Sequence, residues 1–237
     1  LSTNDYQMLL TITNNEAVKE LEYMDLFEAY PVDGIILVGT VLTKLHREKL
    51  KKCKVPVVII GQKTKEVSCV YHDDYGAAKE LAEVLGKGAE GRIAYIGVTR
   101  EDKAAGAARE DGFREGLRKV GKTLEEQYVR YAEFTMESGY EKACDILGKE
   151  DDIDIISCAT DTIAAGVIEA IKEIAPKRQI QVTGFGDNQF LKAVTGGIRT
   201  VHFGYKTSGV KGTQLLLEMI ESEEMMTTEI KLGYKLV

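Results

Sequence analysis

Short runs of apolar, largely β-branched residues alternate along this chain with stretches of about a dozen residues whose apolar positions recur at helical spacing. Met8–Ile12, Gly34–Val38, Pro56–Ile60, Ile93–Gly97, Ile153–Cys158, Gln181–Gly184 and Ile230–Leu236 read as strands. Between them, Ala17–Ala29, Leu45–Lys52, Gly76–Leu85, Ala107–Val120, Ser138–Leu147, Thr162–Ile174 and Ser208–Ile220 read as helices. In Gly76–Leu85, for example, Ala77, Leu81, Ala82, Val84 and Leu85 gather on one side of a helix. The strands are nearly continuous in hydrophobicity instead of alternating, as expected where helices cover both faces of a parallel sheet. The pattern predicts an α/β fold with doubly wound parallel sheets.

So many strand–helix units exceed what one small sheet needs. The natural cut lies in residues 86–91, where Gly86, Gly88 and Gly91 precede a fresh strand. Two similar lobes follow, each with its own sheet. Ligands in such folds bind outside the carboxyl ends of the strands. Two facing lobes therefore form a cleft, and the polar residues just after each strand are the ones to inspect.

Composition narrows the function classes. With 237 residues, 44% hydrophobic and 29% charged, there is ample material for a buried core. The net charge of −7 and the absence of a basic run argue against these residues gripping DNA directly. Cys53, Cys69, Cys144 and Cys158 show no CxxC spacing, which argues against a zinc site or a disulfide framework and for a reducing compartment. No apolar run approaches the roughly 20 residues needed to cross a bilayer, and the start, LSTNDYQMLLTITNN, lacks the basic and apolar regions of a secretory signal. The histidines His46, His72 and His202 are dispersed and no nucleophile elbow occurs. The glycines at 86–91 lack the Lys-Ser/Thr of a phosphate loop. No catalytic residue, metal or cofactor is implied, and an enzyme is the least favoured class.

The strand ends carry a recognisable set of motifs. His72-Asp73-Asp74-Tyr75-Gly76-Ala77-Ala78 is an acidic turn leading into a helix; Arg92–Gly97 is followed by Arg109-Glu110-Asp111-Gly112-Phe113. Ser138-Gly139-Tyr140, Ala159-Thr160-Asp161-Thr162-Ile163-Ala164-Ala165-Gly166, Val182-Thr183-Gly184-Phe185-Gly186-Asp187 and Arg199-Thr200-Val201 come after them. In this order and spacing, over nearly the whole chain, they resemble the effector-binding core of the lactose-repressor (LacI) family of bacterial transcription repressors. Tyr71–Asp74, the spacing Asp102-xxx-Gly106-xx-Arg109, the run from Cys158 to Ile163 and Thr200–Tyr205 are similar to its trehalose- and sucrose-repressor branch. The resemblance implies a two-lobed fold of the type I periplasmic-binding-protein kind. It also implies a cytoplasmic, sugar-responsive repressor core whose effector, a disaccharide or disaccharide phosphate, lies in the inter-lobe cleft. Two departures stand out: the family's Asn before Asp161 is Thr160, and the first Asp of its "GFDD" is Gly186.

By the same resemblance the chain crosses between lobes three times. The lobes would be residues 1–89 plus 203–226, and 90–202 plus 227–237. The effector-binding residues it implies are Arg109, Lys103, Asp73, Phe134, Thr160, Asp161, Asp187 and Tyr205. Each has a plainer reading. Arg109 could pair with Glu110 or Asp111, although a planar five-donor fork suits sugar hydroxyls or a phosphate. Lys103 lies in a polar loop, where an ammonium is simply solvated or meets a phosphorylated sugar. Asp73, Asp161 and Asp187 follow strands and suit helix N-caps; Asp161 is the favoured cap, leaving Thr160 towards the ligand. Phe134 packs in the core or against a sugar's apolar face, and Tyr205 begins a helix at the third crossover.

The rival reading is an extracytoplasmic sugar-binding protein of a transporter, which shares the fold, since fold does not fix function. A repressor would be a homodimer and would hold operator DNA through a helix-turn-helix upstream, matching the pseudo-palindromy of its operator. Gly76–Leu85 and the helix after Asp187 are the expected dimer contacts. The family also places a strand and a helix ahead of the segment matching Leu1–Thr13, so further chain is expected upstream to fill a slot between Met8–Ile12 and Gly34–Val38.

Overall fold

The computed structural model describes residues 5–30, 32–149, 152–222 and 226–237. It divides into two units: residues 1–72 with 204–232, and residues 73–203 with 233–237.

The first unit holds α1 (Ala17–Ala29), β1 (Ile35–Val38), α2 (Lys44–Leu50), β2 (Val57–Ile60) and β3 (Ser68–His72). After the second unit's insertion, its helix Tyr205–Glu221 (α8) and strand Glu229–Leu232 (β9) complete it. The sheet order is β1-β2-β3-β9, all parallel. Alternation along β2 explains the continuous hydrophobicity: Val57 and Ile59 pack with Met24, Ile35, Leu50 and Cys69, while Val58 packs with Val70, Leu215 and Leu216 of the opposite layer. Both faces of the strand are core.

The second unit carries α3 (Asp74–Gly88), β4 (Arg92–Gly97), α4 (Arg109–Lys119), β5 (Val129–Tyr131), α5 (Met136–Leu147) and β6 (Ile153–Cys158). It continues with α6 (Asp161–Ile174), β7 (Gln181–Phe185), α7 (Gln189–Thr195), β8 (Arg199–Phe203) and finally β10 (Tyr234–Leu236). The order is β10-β8-β7-β6-β4-β5, parallel except for β10 against β8. Leu81, Leu85, Tyr95, Phe113, Leu117, Phe185 and Phe203 build the layer under α3 and α4. Ile96, Ile146, Ile156, Ile163 and Val167 build the layer under α5 and α6.

Three expectations are corrected. Met8–Ile12 forms no strand, and Met8, Leu9, Leu10 and Ile12 are two-thirds or more exposed. Among the described residues β1 is the edge of its sheet, paired with β2 alone; a β-prone segment becomes a strand only where a neighbour pairs its backbone. Second, the division falls at His72/Asp73, not within residues 86–91, so α3 belongs to the second unit. A Cβ on Gly112 or Gly116 would lie 2.2 Å from the carbonyl oxygens of Tyr75 and Lys79 respectively, so α4 needs glycine there to lie against α3. Gly86 and Gly88 are the last turn of α3, and only Gly91 lies in the link from α3 into β4. Third, Ile230–Leu236 is two strands, β9 in the first sheet and β10 in the second, separated by Gly233. The strands β3, β5 and β8, whose composition is mixed, were not legible as strands.

Candidate functional site

The carboxyl ends of β4, β6, β7 and β8 in the second unit collect most of the expected polar residues. At the centre is Arg109, the first residue of α4 and only 7% exposed. Its Nε donates to Asp74 Oδ1 at 2.7 Å and its Nη1 to the Ala159 carbonyl at 2.5 Å. The guanidinium lies over two rings, 4.7 Å from the centroid of Phe185 and 5.2 Å from that of Phe203. Ion pair, carbonyl contact and aromatic faces thus tie α3, α4, β6, β7 and β8 to one side chain. Glu110 and Asp111, the partners that adjacency suggested, meet other groups: Glu110 Oε1 accepts from Arg114 and its Oε2 from Tyr131, with Arg100 beside it, and Asp111 accepts from Arg100.

Arg109 is delivered by an unusual approach. Asp102, buried, accepts from the amides of Ala104 and Ala105 and starts a π-helical turn over Lys103–Ala108. A Cβ on Gly106 would lie 2.0 Å from the Thr99 carbonyl oxygen, so this turn depends on that glycine. Single π turns inside helices are frequent at functional sites. Lys103 opens the turn, exposed, its Nζ donating to the Arg100 carbonyl.

At β6 the assignment of cap and side chain is the reverse of the one expected. Thr160 is the N-cap of α6, its hydroxyl accepting from the Ile163 amide, because it keeps extended backbone angles. Asp161 is the first helical residue and points across to the next strands. Its Oδ1 accepts from Thr200 Oγ1 at 2.6 Å and its Oδ2 from the Asn188 amide at 2.7 Å. Burial pushes this carboxyl above the ordinary carboxylate value, opposed by those two donors; the nearby Asp187 raises it further and Arg109 lowers it.

Asp161 therefore shapes the loop after β7. Gly186 has a φ of +142°, and a Cβ there would sit 3.4 Å from Asp161 Oδ2. The family's Asp is replaced at a position whose backbone strains any L side chain. Asp187 follows at φ +52° and its carboxylate meets His202 Nδ1 at 2.9 Å. Asp187 is no cap: Asn188 Oδ1 accepts from the Phe190 and Leu191 amides and starts α7. Asp73 is a cap, accepting from the Gly76 amide at 3.0 Å, and Asp74 beside it is the buried ion-pair partner. Phe134 is half-buried against the α5/α6 core. Tyr205 belongs to the first unit, at the start of α8, with its ring edge-on to His72 at 5.5 Å.

Arg109, Thr160, Asp161 and Asp187 thus share one end of one sheet, with Asp73 and Lys103 at the starts of neighbouring helical segments. Asp74, Thr200, His202, Phe185 and Phe203 are site residues that sequence reasoning did not single out. The motifs contain or adjoin all five, but only the fold shows which side chains converge. Among the described residues no three His, Cys, Asp or Glu side chains come together to hold a metal ion.

The family model described as periplasmic binding proteins and the sugar-binding domain of the LacI family matches residues 1–192. The chain belongs to this family. The LacI-family chain is 28% identical over 220 residues to the sucrose operon repressor of Staphylococcus xylosus, covering 92% of this chain and 68% of that protein. The solved trehalose repressor from Escherichia coli superposes with a TM-score of 0.85 at 20% identity, covering 100% of this chain and 89% of that one. The complex of the regulator CelR with cellobiose gives 0.85 at 22%, covering 94% and 69%. The architecture is accordingly the type I periplasmic-binding-like fold of LacI-family cores, and the chain is a sugar-sensing core of a transcriptional regulator. Among the described residues no helix is long and apolar enough to cross a membrane.

Proposed function

We propose that this core senses a disaccharide or disaccharide phosphate at the carboxyl ends of the second unit's strands, and that it acts in the cytoplasm as the core of a repressor of operator DNA. The observation that carries the reading is the loop Gly186–Asn188, which Asp161 and Thr200 hold at that sheet end with the Asp187 carboxylate against His202. Three relatives support the disaccharide: a sucrose operon repressor, a trehalose repressor and a regulator solved with cellobiose. The described cysteines, all free, support a reducing compartment over export.

The ligand-facing set in this reading is Lys103, Asp73, Phe134, Thr160 and Asp187, with Asp161 acting through the loop it holds. Arg109 serves both the ligand and the fold, since a guanidinium has five donors. The core forms a homodimer, and α7 supports this by exposing Phe190 (86%) and Val194 (77%) one helical turn apart. Calorimetry with sucrose, trehalose, cellobiose and the 6-phosphates of sucrose and trehalose tests the ligand class. Binding of one of them that Asp187→Asn weakens about tenfold or more, the loss of a charge-assisted hydrogen bond, is the expected result. No heat with any of the five refutes it.

A further inference from the structure

The backbone crosses between the two units three times, and any change in their arrangement must be taken up where it crosses. The crossings are His72/Asp73, Phe203/Gly204 and Leu232/Gly233. Strand register puts them side by side: His72 is level with Leu232 in β3/β9, and Phe203 with Tyr234 in β8/β10.

At this point lies a buried polar chain that the sensing site does not use. His72, the last residue of β3, is 7% exposed and Ser208, in the first turn of α8, is 1% exposed. Ser208 Oγ donates to the Gly204 carbonyl at 3.2 Å and lies 2.8 Å from His72 Nε2. Since the hydroxyl's one proton goes to Gly204, its oxygen accepts, and Nε2 carries the imidazole proton. The relay runs His72 Nε2–H to Ser208 Oγ, then Ser208 Oγ–H to the Gly204 carbonyl. It links the residue before the first crossing to the residue after the second. Gly204 has no side chain with which to cap α8, and its backbone is neither helical nor extended (φ −74°, ψ 64°). Its conformation therefore leans on this relay and on the Tyr205 ring set against His72.

We infer that His72 and Ser208 are positioning residues: a clasp that fixes how the first and second crossings leave the first unit, and so biases which arrangement of the units is populated. An element of this kind matters to a sensor because a ligand acts only through its differential affinity for two arrangements. The inference rests on the sensing reading for its purpose, but its test uses no sugar and can fail or succeed independently.

The experiment uses the 237-residue chain carrying a dye pair at the exposed Lys44 and Lys172, one in each unit, read by single-molecule energy transfer without ligand. Ser208→Ala removes one oxygen and should widen or shift the transfer distribution. Hydrogen exchange at residues 204–208 should accelerate about tenfold, the loss expected for one buried hydrogen bond, while amides around Leu215 keep their rate. His72→Leu should behave like Ser208→Ala, whereas His72→Gln, whose amide nitrogen can replace Nε2–H, should restore the wild-type distribution. A wild-type distribution in Ser208→Ala overturns the inference, even where exchange at 204–208 is faster, because the relay would then be local helix capping alone.

Discussion

Replacing Arg109 with alanine should unfold the protein more readily as well as weaken its response to sugar. The side chain is 8% exposed and its partner Asp74 5% exposed, so the 2.7 Å ion pair is screened little by solvent. Arg109→Ala leaves the Asp74 carboxylate buried without its cation and strips the Ala159 carbonyl of its donor. Breaking a buried pair by removing one partner costs about 3–5 kcal/mol. The two aromatic faces add to this, but not additively. For a chain of this size that cost lowers Tm by roughly 6–20 °C. Urea unfolding followed by circular dichroism measures it, with Asp74→Asn and the double variant closing a cycle. The double variant should be less destabilised than the sum of the two singles, because the stranded charge is then gone. A loss below about 1 kcal/mol in Arg109→Ala, or simple additivity in the cycle, would refute the reasoning and return Arg109 to a purely ligand-facing role.

Three further outcomes follow from the geometry. Lys103→Ala should weaken a sugar 6-phosphate about tenfold or more through loss of one charge-assisted contact, leaving the free sugar's affinity unchanged by calorimetry; equal losses for both would remove Lys103 from phosphate recognition. Phe190→Asp on α7 should shift sedimentation at micromolar concentration from dimer to monomer without loss of helical signal, and a monomeric wild type would end the dimer proposal. Asp161 is held above its ordinary value of 3.8 by burial, so the folded state binds its proton more tightly than the unfolded state. The stability this contributes is present below pH 3.8 and is lost as pH rises through the folded-state value. Relative to Asp161→Asn, the wild type should therefore lose stability on going up through that window in urea titrations; a constant difference across pH would argue against the raised carboxyl.

The helical periodicity was strong enough to place α1 at its observed bounds and the other long helices to within a few residues, because a helix satisfies its own backbone and announces itself locally. The buried strands β2, β4, β6 and β7 were legible for a related reason: covered on both faces, they are nearly continuous in hydrophobicity. Met8–Ile12 has the same composition and is no strand, since strand formation is decided by what lies alongside. The boundary between units was decided by packing too. Gly112 and Gly116 draw α4 onto α3, and nothing in the run of glycines at 86–91 reveals it.

The same division runs through the site. The motifs by themselves placed Arg109, Thr160, Asp161 and Asp187 just after strands, at one end of a sheet, since strand–loop–helix order carries that information. Only the tertiary structure decided what each side chain does there. Whether Thr160 or Asp161 caps α6 depends on a few tens of degrees of backbone rotation. Whether Arg109 pairs with Glu110, its neighbour in sequence, or with Asp74, its neighbour in space, depends on the packing of two helices. Those choices are set by non-local contacts between residues dozens of positions apart, where no local pattern reaches.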